Sequence, residues 1–257
     1  MQPGHVCTQH VNDKGIIVID DREYPMASEV VATEDVIQRS VQNLARRIAE
    51  DYKGLKHLDT CRSLNSMNRE MLPHGITSNS CDIRDADSPS TMEAPISEEN
   101  PLIILSVLKG SYVFTADFVR YLGDYDLPHV VDFIRLASYN DGTESSGTIT
   151  LLSKPKFKHL NGKHVLILED VCDSGRTMKF LYDYIGDNYK PKSLKTLVFM
   201  NKPSDARKVE FEPEYKCLDA PNKYVIGYGF EINDRYRNLR HVFVPTEKEK
   251  VRFMFEL

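Results

Sequence analysis

Short apolar runs that alternate with segments of helical periodicity constrain the fold of this chain more than any other feature. Five runs of strand length follow Pro101, and they are LIILSVL at 102–108, VVDFIRL at 130–136, VLIL at 165–168, LKTLVFM at 194–200 and YVIGYGF at 224–230. Because successive residues in each run are apolar, we predict strands that are buried on both faces, as in a parallel sheet.

Helical periodicity occurs before and between these runs. The apolar residues that share one face are Ile37, Val41, Leu44, Ala45 and Ile48 in the first segment (33–51), Phe114, Phe118, Tyr121 and Leu122 in the second, and Met178, Leu181, Tyr182 and Ile185 in the third. Thr33 is the predicted N-cap of the first helix. Strands that alternate with helices predict an α/β fold with a twisted, mainly parallel sheet flanked by helices. Ligands of such sheets bind beyond the carboxyl ends of the strands.

Composition narrows the function class. The 257 residues include 33 Lys and Arg against 38 Asp and Glu, so a net charge of -5 gives no support for general binding to nucleic acid or to an anionic membrane. No apolar run approaches the roughly 18–20 residues that cross a bilayer, and the polar start lacks the pattern of a signal peptide. We therefore expect a cytoplasmic protein. The five cysteines contain no C-x-x-C pair, which predicts free thiols.

A polar stretch divides the chain. From about Lys53 to Asn100 periodicity disappears, and Ser, Asn, Asp, Met and Pro dominate. Such a composition buries too little apolar surface to offset the entropy of ordering. We predict an N-terminal segment at 1–32 and a domain at 33–257 that carries a flexible insertion at 60–99.

The segment VLILEDVCDSGRTM at 165–178 has the strongest chemical content. A buried strand ends in Glu169 and Asp170 and then turns through 173–177 into a helix. The amides of such a turn, at the positive end of the helix dipole, can hold a phosphate, and Gly175 lets the backbone come close. An Asp or Ser that opens a helix is most often only a cap. Two acids at a buried strand end, however, require a metal ion, a hydroxyl or a cationic partner.

LEDVCDSGRTM resembles the phosphoribosyl pyrophosphate signature of type I phosphoribosyltransferases. Three further segments stand in the order typical of the hypoxanthine-guanine branch, namely VLKGSYVFTADFV at 107–119, VDFIRLASYNDGTESSG at 131–147 and NKYVIGYGFEINDRYRNLRHVFV at 222–244. On these segments the chain is identified as a member of that family. The resemblance implies the type I fold, with a small hood formed by terminal segments and a mobile hairpin lid.

The resemblance also implies roles for single residues. The residues that would hold the phosphoribosyl group and its 5-phosphate are Glu169, Asp170, Asp173, Ser174, Gly175, Arg176 and Thr177. Asp173 would in addition face purine N7, as general base or as electrostatic stabiliser. Pyrophosphate would be bound by Lys109, Gly110 and Arg237, with a cis peptide bond before Lys109.

The family pattern also implies which residues would bind the purine base and which would form the lid. Lys202 would donate to the oxygen of a 6-oxopurine, Tyr224 would stack on the base, and the main chain of Val225 would meet its edge. Ser138 and Tyr139 would belong to the lid. The residues that would hold Mg²⁺ are Glu169, Asp170 and Glu231.

Two positions depart from the family pattern. Ala137 stands where many relatives have Lys, and Glu231 stands where the family generally has Asp. The first change removes any subunit or loop contact that the Lys makes in those relatives. The second keeps the charge but moves the carboxylate oxygens, which alters metal affinity or geometry.

The resemblance implies a purine salvage enzyme that transfers a 5-phosphoribosyl group from phosphoribosyl pyrophosphate to hypoxanthine or guanine. Its partners would be these small molecules, with neither nucleic acid nor membrane, and it would be a homodimer or homotetramer. Two alternatives stay open. One is a regulatory homologue that binds phosphoribosyl pyrophosphate or nucleotide without turnover, and the other is a transferase acting on another base.

Overall fold

The computed structural model describes residues 8–67, 96–138, 149–153, 160–203, 205 and 207–254, and it describes the backbone alone in 54–67, 137–138 and 254. The strands in these ranges are β1 (Gln9–Val11), β2 (Ile17–Ile19), β3 (Arg22–Tyr24), β4 (Ala27–Ala32), β5 (Leu102–Leu108), β6 (His129–Ser138), β7 (Ile149–Ser153), β8 (His164–Cys172), β9 (Ser193–Asn201), β10 (Tyr215–Asp219) and β11 (Val242–Pro245). The helices are α1 (Glu34–Met67), α2 (Tyr112–Gly123), α3 (Arg176–Asn188) and α4 (Glu247–Met254).

A six-stranded sheet forms the centre of the molecule, with the strand order β10-β9-β8-β5-β6-β7. The first five strands of this order are parallel, and β7 pairs antiparallel with β6. The predicted mainly parallel sheet is therefore confirmed. Because β5, β8 and β9 run in the same direction, the residues that follow them lie at one edge of the sheet, where ligands bind in such folds.

Helices cover both faces of this sheet. Ile104 of β5 belongs to the core that includes α1 and α2, whereas its neighbour Ile103 belongs to the core under α3. This alternation follows from the period of two along a strand. The predicted helix faces are confirmed, since their apolar residues are buried apart from two partly exposed tyrosines, Tyr121 and Tyr182.

The two ends of the chain form a smaller unit. β4 pairs antiparallel with β11, and β1, β2 and β3 form a small sheet of their own. Ile19 of β2, Phe243 of β11 and Phe253 of α4 share one apolar cluster. This unit is the hood that the family resemblance implies.

The structure corrects the prediction of a strand at 224–230. The backbone there turns sharply, with φ of 96° at Gly227, 52° at Tyr228 and 102° at Gly229. Three successive residues with positive φ cannot continue a strand. The two glycines in YVIGYGF are the signal for this bend, and the apolar character of the run concealed it.

Two further predictions need correction. β6 is not buried on both faces, because Val130 and Phe133 are 46% and 43% exposed. The strand lies toward one edge of the sheet, and no described helix covers these side chains. The first helix does not end near Asp51 but continues to Met67, and no proline interrupts the sequence of that stretch.

Other predictions lie largely or wholly outside the described residues. Most of the predicted insertion (68–95) and most of the predicted lid, including Tyr139, belong to this group. Cys172 and Cys217 are free thiols, as predicted. No described helix combines the length and the apolar character that crossing a membrane requires.

Candidate active site

Two acidic side chains lie side by side near the carboxyl end of β8. Glu169 is buried, and its Oε2 atom has no hydrogen-bond partner among the described residues. Burial and then the negative charge of Asp170 raise the pKa of Glu169 well above its ordinary value, and burial raises the pKa of Asp170 as well. Because a buried carboxyl group needs a partner, the pair fits a ligand that brings hydroxyl groups or a cation.

Lys109 and Gly110 follow β5 and lie against these acids. The peptide bond between Leu108 and Lys109 is cis, as the resemblance implies. A Cβ atom built on Gly110 would lie 1.6 Å from Asp170 Oδ2, so the backbone approaches the carboxylate as only glycine allows. The two loops therefore form one continuous site.

Three buried hydroxyl groups link the two segments that flank this loop. Ser106 Oγ lies 2.8 Å from Ser111 Oγ and 2.7 Å from Thr115 Oγ1. Ser111 Oγ also donates to the carbonyl oxygen of Val107. These contacts attach the start of α2 to β5 on both sides of the Lys109 loop, and sequence reasoning did not single them out.

The turn after β8 leaves backbone donors open. Gly175 has a φ of 78°, and α3 begins at the next residue, Arg176. In the described part of the chain, the amide N–H groups of Ser174, Gly175, Arg176 and Thr177 donate no hydrogen bond to other protein groups. Four open amides at a helix N-terminus form an anion site. This geometry supports the predicted phosphate loop.

Arg207 holds this turn from the protein side. Its Nη1 atom donates to the carbonyl oxygen of Cys172 at 2.7 Å and to that of Asp173 at 2.5 Å. The Lys208 N–H donates to the carbonyl oxygen of Ser174 at 2.9 Å. The carbonyl oxygens of residues 172–174 are thus bound by Arg207 and Lys208, whereas the amides of residues 174–177 stay open.

Asp173 and Lys202 form an ion pair beside the phosphate loop. Lys202 Nζ lies 2.7 Å from Asp173 Oδ2, and the Lys202 N–H donates to the carbonyl oxygen of Cys172 at 3.0 Å. Lys202 is mostly buried, whereas Asp173 is half exposed at the mouth of the site. A lysine ammonium has three donors, so this pair leaves further donors of Lys202 for a ligand.

The two predicted pyrophosphate-binding cations meet at one carboxylate. Lys109 Nζ contacts Asp234 Oδ1 and Oδ2 at 2.7 and 2.9 Å, and Arg237 Nη2 contacts Oδ1 at 2.8 Å. The hydrogen bond from Lys109 and then that from Arg237 lower the pKa of Asp234 to about 2. The Asp234 N–H donates to the Glu231 carboxylate. Sequence reasoning missed Asp234, although it stands three residues before Arg237.

Tyr224 and Val225 precede the sharp turns at 227–229. Tyr224 is 43% exposed and its hydroxyl donates to the carbonyl oxygen of Glu231 at 2.6 Å, while Val225 is buried. The ring of Tyr224 is therefore available for stacking. A cavity of about 430 Å³ is lined by Tyr224, Glu231, Ile232, Asn233, Asp234, Lys250 and Phe253. It borders the base and pyrophosphate residues but does not reach Asp173.

The three predicted metal ligands do not converge. Glu169 and Asp170 are neighbours, but Glu231 Oε1 lies 3.8 Å from Arg237 Nη2 instead. Within the described ranges no three His, Cys, Asp or Glu side chains form a group that could hold an ion. The resemblance places Glu231 near pyrophosphate and the other two acids near the ribose, so the metal ligands stay a prediction, and the described protein groups alone do not enclose an ion. A magnesium ion here would take further oxygens from bound substrates, as is usual for this cation.

Only one of the two predicted lid residues lies within the described residues. Ser138 ends β6 and pairs with Ile149 of β7, so the hairpin that would carry the lid is present at its base. Tyr139 lies outside the described residues.

Comparisons with known proteins agree with this geometry. A model of the phosphoribosyl transferase domain matches residues 91–233. A hypoxanthine-guanine phosphoribosyltransferase from Leishmania donovani is 33% identical over 223 residues, which is 87% of this chain and 86% of that protein. The human enzyme of the same name is 34% identical over 194 residues, which is 73% of this chain and 85% of that protein.

The chain belongs to the hypoxanthine-guanine phosphoribosyltransferase family. A solved Trypanosoma cruzi hypoxanthine phosphoribosyltransferase, in complex with its product IMP, is 34% identical, has a TM-score of 0.66, and covers 88% of this chain and 98% of its own. The type I fold of this phosphoribosyltransferase is thus shown by both sequence and architecture.

Arg207 is another residue that the sequence did not reveal. It lies six residues after the end of β9 and carries no motif of its own. Its role depends on a contact with residues more than 30 positions away. Such contacts are set by tertiary structure, so periodicity and motifs could not have found it.

Proposed function

We propose that this phosphoribosyltransferase transfers the 5-phosphoribosyl group of phosphoribosyl pyrophosphate to N9 of hypoxanthine or guanine, which gives IMP or GMP and pyrophosphate. The observation that carries this proposal is the phosphate loop, in which four open amides at the start of α3 stand beside the buried Glu169 and the partly buried Asp170. An anion site next to carboxyl groups matches a sugar phosphate, whose phosphate and hydroxyl groups need these two kinds of partner.

The loop would hold the sugar through its main chain. The amides and hydroxyls of Ser174 and Thr177 bind the 5-phosphate, together with the amides of Gly175 and Arg176. Glu169 and Asp170 accept hydrogen bonds from the ribose hydroxyls. Burial raises the pKa of both carboxyl groups in the free protein, and hydrogen bonds from the ribose hydroxyls would stabilise their charged forms.

The leaving group would lie against cations. Lys109 and Arg237 neutralise pyrophosphate, and the backbone of Gly110 comes close to it. Arg237 suits this task because its guanidinium is a planar fork of donors. As the bond from the sugar carbon to pyrophosphate breaks, negative charge grows on the leaving group, so these charges stabilise the transition state more than the ground state.

Lys202 and Asp173 would act on the base. Lys202 donates to the oxygen of a 6-oxopurine, and adenine is disfavoured because its amine is itself a donor. Tyr224 stacks on the ring and the main chain of Val225 meets its edge. Asp173 faces N7, where it accepts a proton or stabilises the positive charge that forms on the ring as N9 bonds to the sugar.

Magnesium is the cation proposed for this site. The unpartnered Oε2 of Glu169 and the adjacent Asp170 are hard oxygen donors that suit it, with Glu231 near the pyrophosphate cations. When bound, the ion supplies charge neutralisation of pyrophosphate. The protein residues above bind and orient the substrates, and Ser138 and Tyr139 belong to a lid that keeps water from the reacting sugar.

We also propose a homodimer or homotetramer. A solved T. cruzi relative was studied for the role of its C-terminal region in oligomeric state and enzymatic activity, and this chain has a C-terminal helix, α4, that packs on the hood. A cytoplasmic location stays a prediction.

Product analysis tests the proposed reaction. Purified full-length chain is incubated with Mg²⁺, phosphoribosyl pyrophosphate and either hypoxanthine, guanine or adenine, and nucleotides are separated by chromatography. We expect IMP and GMP but not AMP. Nucleotide from adenine alone would favour a transferase for another base, and binding of IMP without any product would favour the regulatory homologue.

A further inference from the structure

We infer that Asp234 competes with pyrophosphate for Lys109 and Arg237, and thereby weakens the hold of the enzyme on this product. The inference rests on the proposed function, because that function assigns the two cations to pyrophosphate. It adds a determinant of product affinity that the motif residues do not include.

The contacts of Asp234 are those that an anionic ligand would make. Its carboxylate accepts two hydrogen bonds from Lys109, at 2.7 and 2.9 Å, and one from Arg237, at 2.8 Å. Two cations on one carboxylate reproduce the charge pattern of a bound phosphoryl group. In the described part of the protein these two side chains are the only groups that hold the carboxylate.

The backbone fixes where this carboxylate stands. Residue 234 has a φ of 58°, and its N–H donates to the Glu231 carboxylate. Arg237 is held from the other side, since its Nη1 donates to the carbonyl oxygen of Gly229 at 2.8 Å. The loop at 231–237 therefore presents the carboxylate and one of its cations together.

Exposure makes the contact exchangeable. The side chain of Asp234 is 63% exposed and that of Lys109 is 51% exposed. Ion pairs of this exposure contribute little free energy, because water and salt compete with them. Pyrophosphate carries more negative charge than one carboxylate, so it can displace Asp234 into solvent. The displacement nevertheless subtracts from its binding free energy.

Direct binding measurements test this competition. The binding of inorganic pyrophosphate with Mg²⁺ is measured by titration calorimetry for the full-length parent and for Asp234→Asn. Asparagine tolerates the positive φ of this position, and so does glycine in Asp234→Gly. We expect both variants to bind pyrophosphate about three- to fivefold more tightly than the parent. IMP, which lacks a pyrophosphate, should bind with unchanged affinity.

The matched control is Asp219→Asn. Asp219 is an exposed carboxylate at the end of β10, 2.6 Å from Lys216, so the variant loses the same charge and a similar ion pair outside the site. Its pyrophosphate affinity should equal that of the parent. If it tightens as much as Asp234→Asn, net charge rather than local competition explains the effect, and the inference is overturned.

The remaining outcomes separate the inference from the function. If the parent makes IMP and binds pyrophosphate but Asp234→Asn binds it equally or more weakly, Asp234 aligns the cations rather than competing for them, and the inference alone fails. If the parent makes no nucleotide and binds no pyrophosphate, the proposed function fails together with it.

Discussion

The loop at 173–177, for which we propose binding of the 5-phosphate, and the loop at 231–237, for which we propose binding of pyrophosphate, present their donor groups in opposite ways. We call them the phosphate loop and the pyrophosphate loop. The first presents backbone amides that have no partner among the described residues. The second presents Arg237, which is already paired with Asp234, as Lys109 is across the site. On the proposed assignment, the comparison teaches that the group retained in the product has a site that is ready in advance, whereas the leaving group meets a site with a competing partner.

The two loops also differ in the parts of the protein that hold them. Arg207 is buried and donates to the carbonyl oxygens of Cys172 and Asp173, where the phosphate loop begins. The pyrophosphate loop rests on α4, where Tyr236 donates to Glu249 at 2.7 Å and the Arg235 guanidinium lies 4.4 Å from the Phe253 ring. A loop held by the interior is more rigid than one held by a terminal helix.

The contact that joins the acid pair to the Lys109 loop gives the largest expected effect. In Gly110→Ala the new Cβ would collide with the Asp170 carboxylate, so both halves of the site must shift. Because a misplacement of about 1 Å can cost 100-fold in rate, we expect kcat/KM to fall by at least about 100-fold. Gly186→Ala, where an added Cβ meets nothing within 4 Å, is the control and should keep parental activity. Parental kcat/KM in Gly110→Ala would show that the two halves do not act as one site.

Removing the charged group of the phosphate loop should act on turnover. Asp173→Asn keeps the size of the side chain but removes the base and the partner of Lys202. We expect kcat to fall about 100-fold with a much smaller change in KM, measured by steady-state kinetics with hypoxanthine. Equal turnover in variant and parent would remove Asp173 from a role in the chemistry.

The buried support of the phosphate loop can be removed separately. Arg207→Met leaves the carbonyl oxygen of Asp173 without its donor and that of Cys172 with only the Lys202 N–H, which should lower the free energy of unfolding by about 2 kcal/mol. IMP should bind more weakly, while pyrophosphate affinity changes little. Urea denaturation measures the free energy of unfolding, and titration calorimetry measures the two affinities. Arg46→Met removes an exposed arginine paired with Glu50, so it serves as the control. A larger loss for pyrophosphate than for IMP would contradict the assignment of Arg207 to the phosphate loop.

The smallest expected effect concerns a hydrogen bond at the start of α1, outside both loops. His241 Nδ1 accepts the Glu34 N–H at 2.8 Å at the start of α1, and burial lowers the pKa of this histidine from 6.5. The unfolded chain therefore binds more protons just below that pH, so the free energy of unfolding should fall as pH decreases through about 6.5. In His241→Asn this part of the pH dependence should vanish. An identical pH profile in variant and parent would exclude His241 as its source.

The sequence predicted those features that depend on local pattern. The apolar runs located the ends of β5 and β9 and the start of β8 to within two residues. The carboxyl end of β8 was predicted too early, because the strand continues through the two acids to Cys172. The turn at Gly175 followed from its motif. The bend at 227–229 did not, because buried apolar residues outweighed two glycines in the pattern.

Contacts between distant segments set the rest. Arg207 and Asp234 have no distinctive neighbours in sequence, and their partners come from other elements or from a folded loop. The Glu231 carboxylate accepts the Asp234 N–H, a contact within the folded loop that the family pattern did not reveal. Motifs identify which residues a site contains, whereas their pairing in the free protein depends on the assembled fold.

A crystal structure of the protein with bound IMP tests the central claim most directly. The account predicts that the phosphate of the nucleotide accepts hydrogen bonds from the amides of Ser174, Gly175, Arg176 and Thr177, with its ribose hydroxyls on Glu169 and Asp170. A nucleotide bound elsewhere, with these amides left to water, would contradict it.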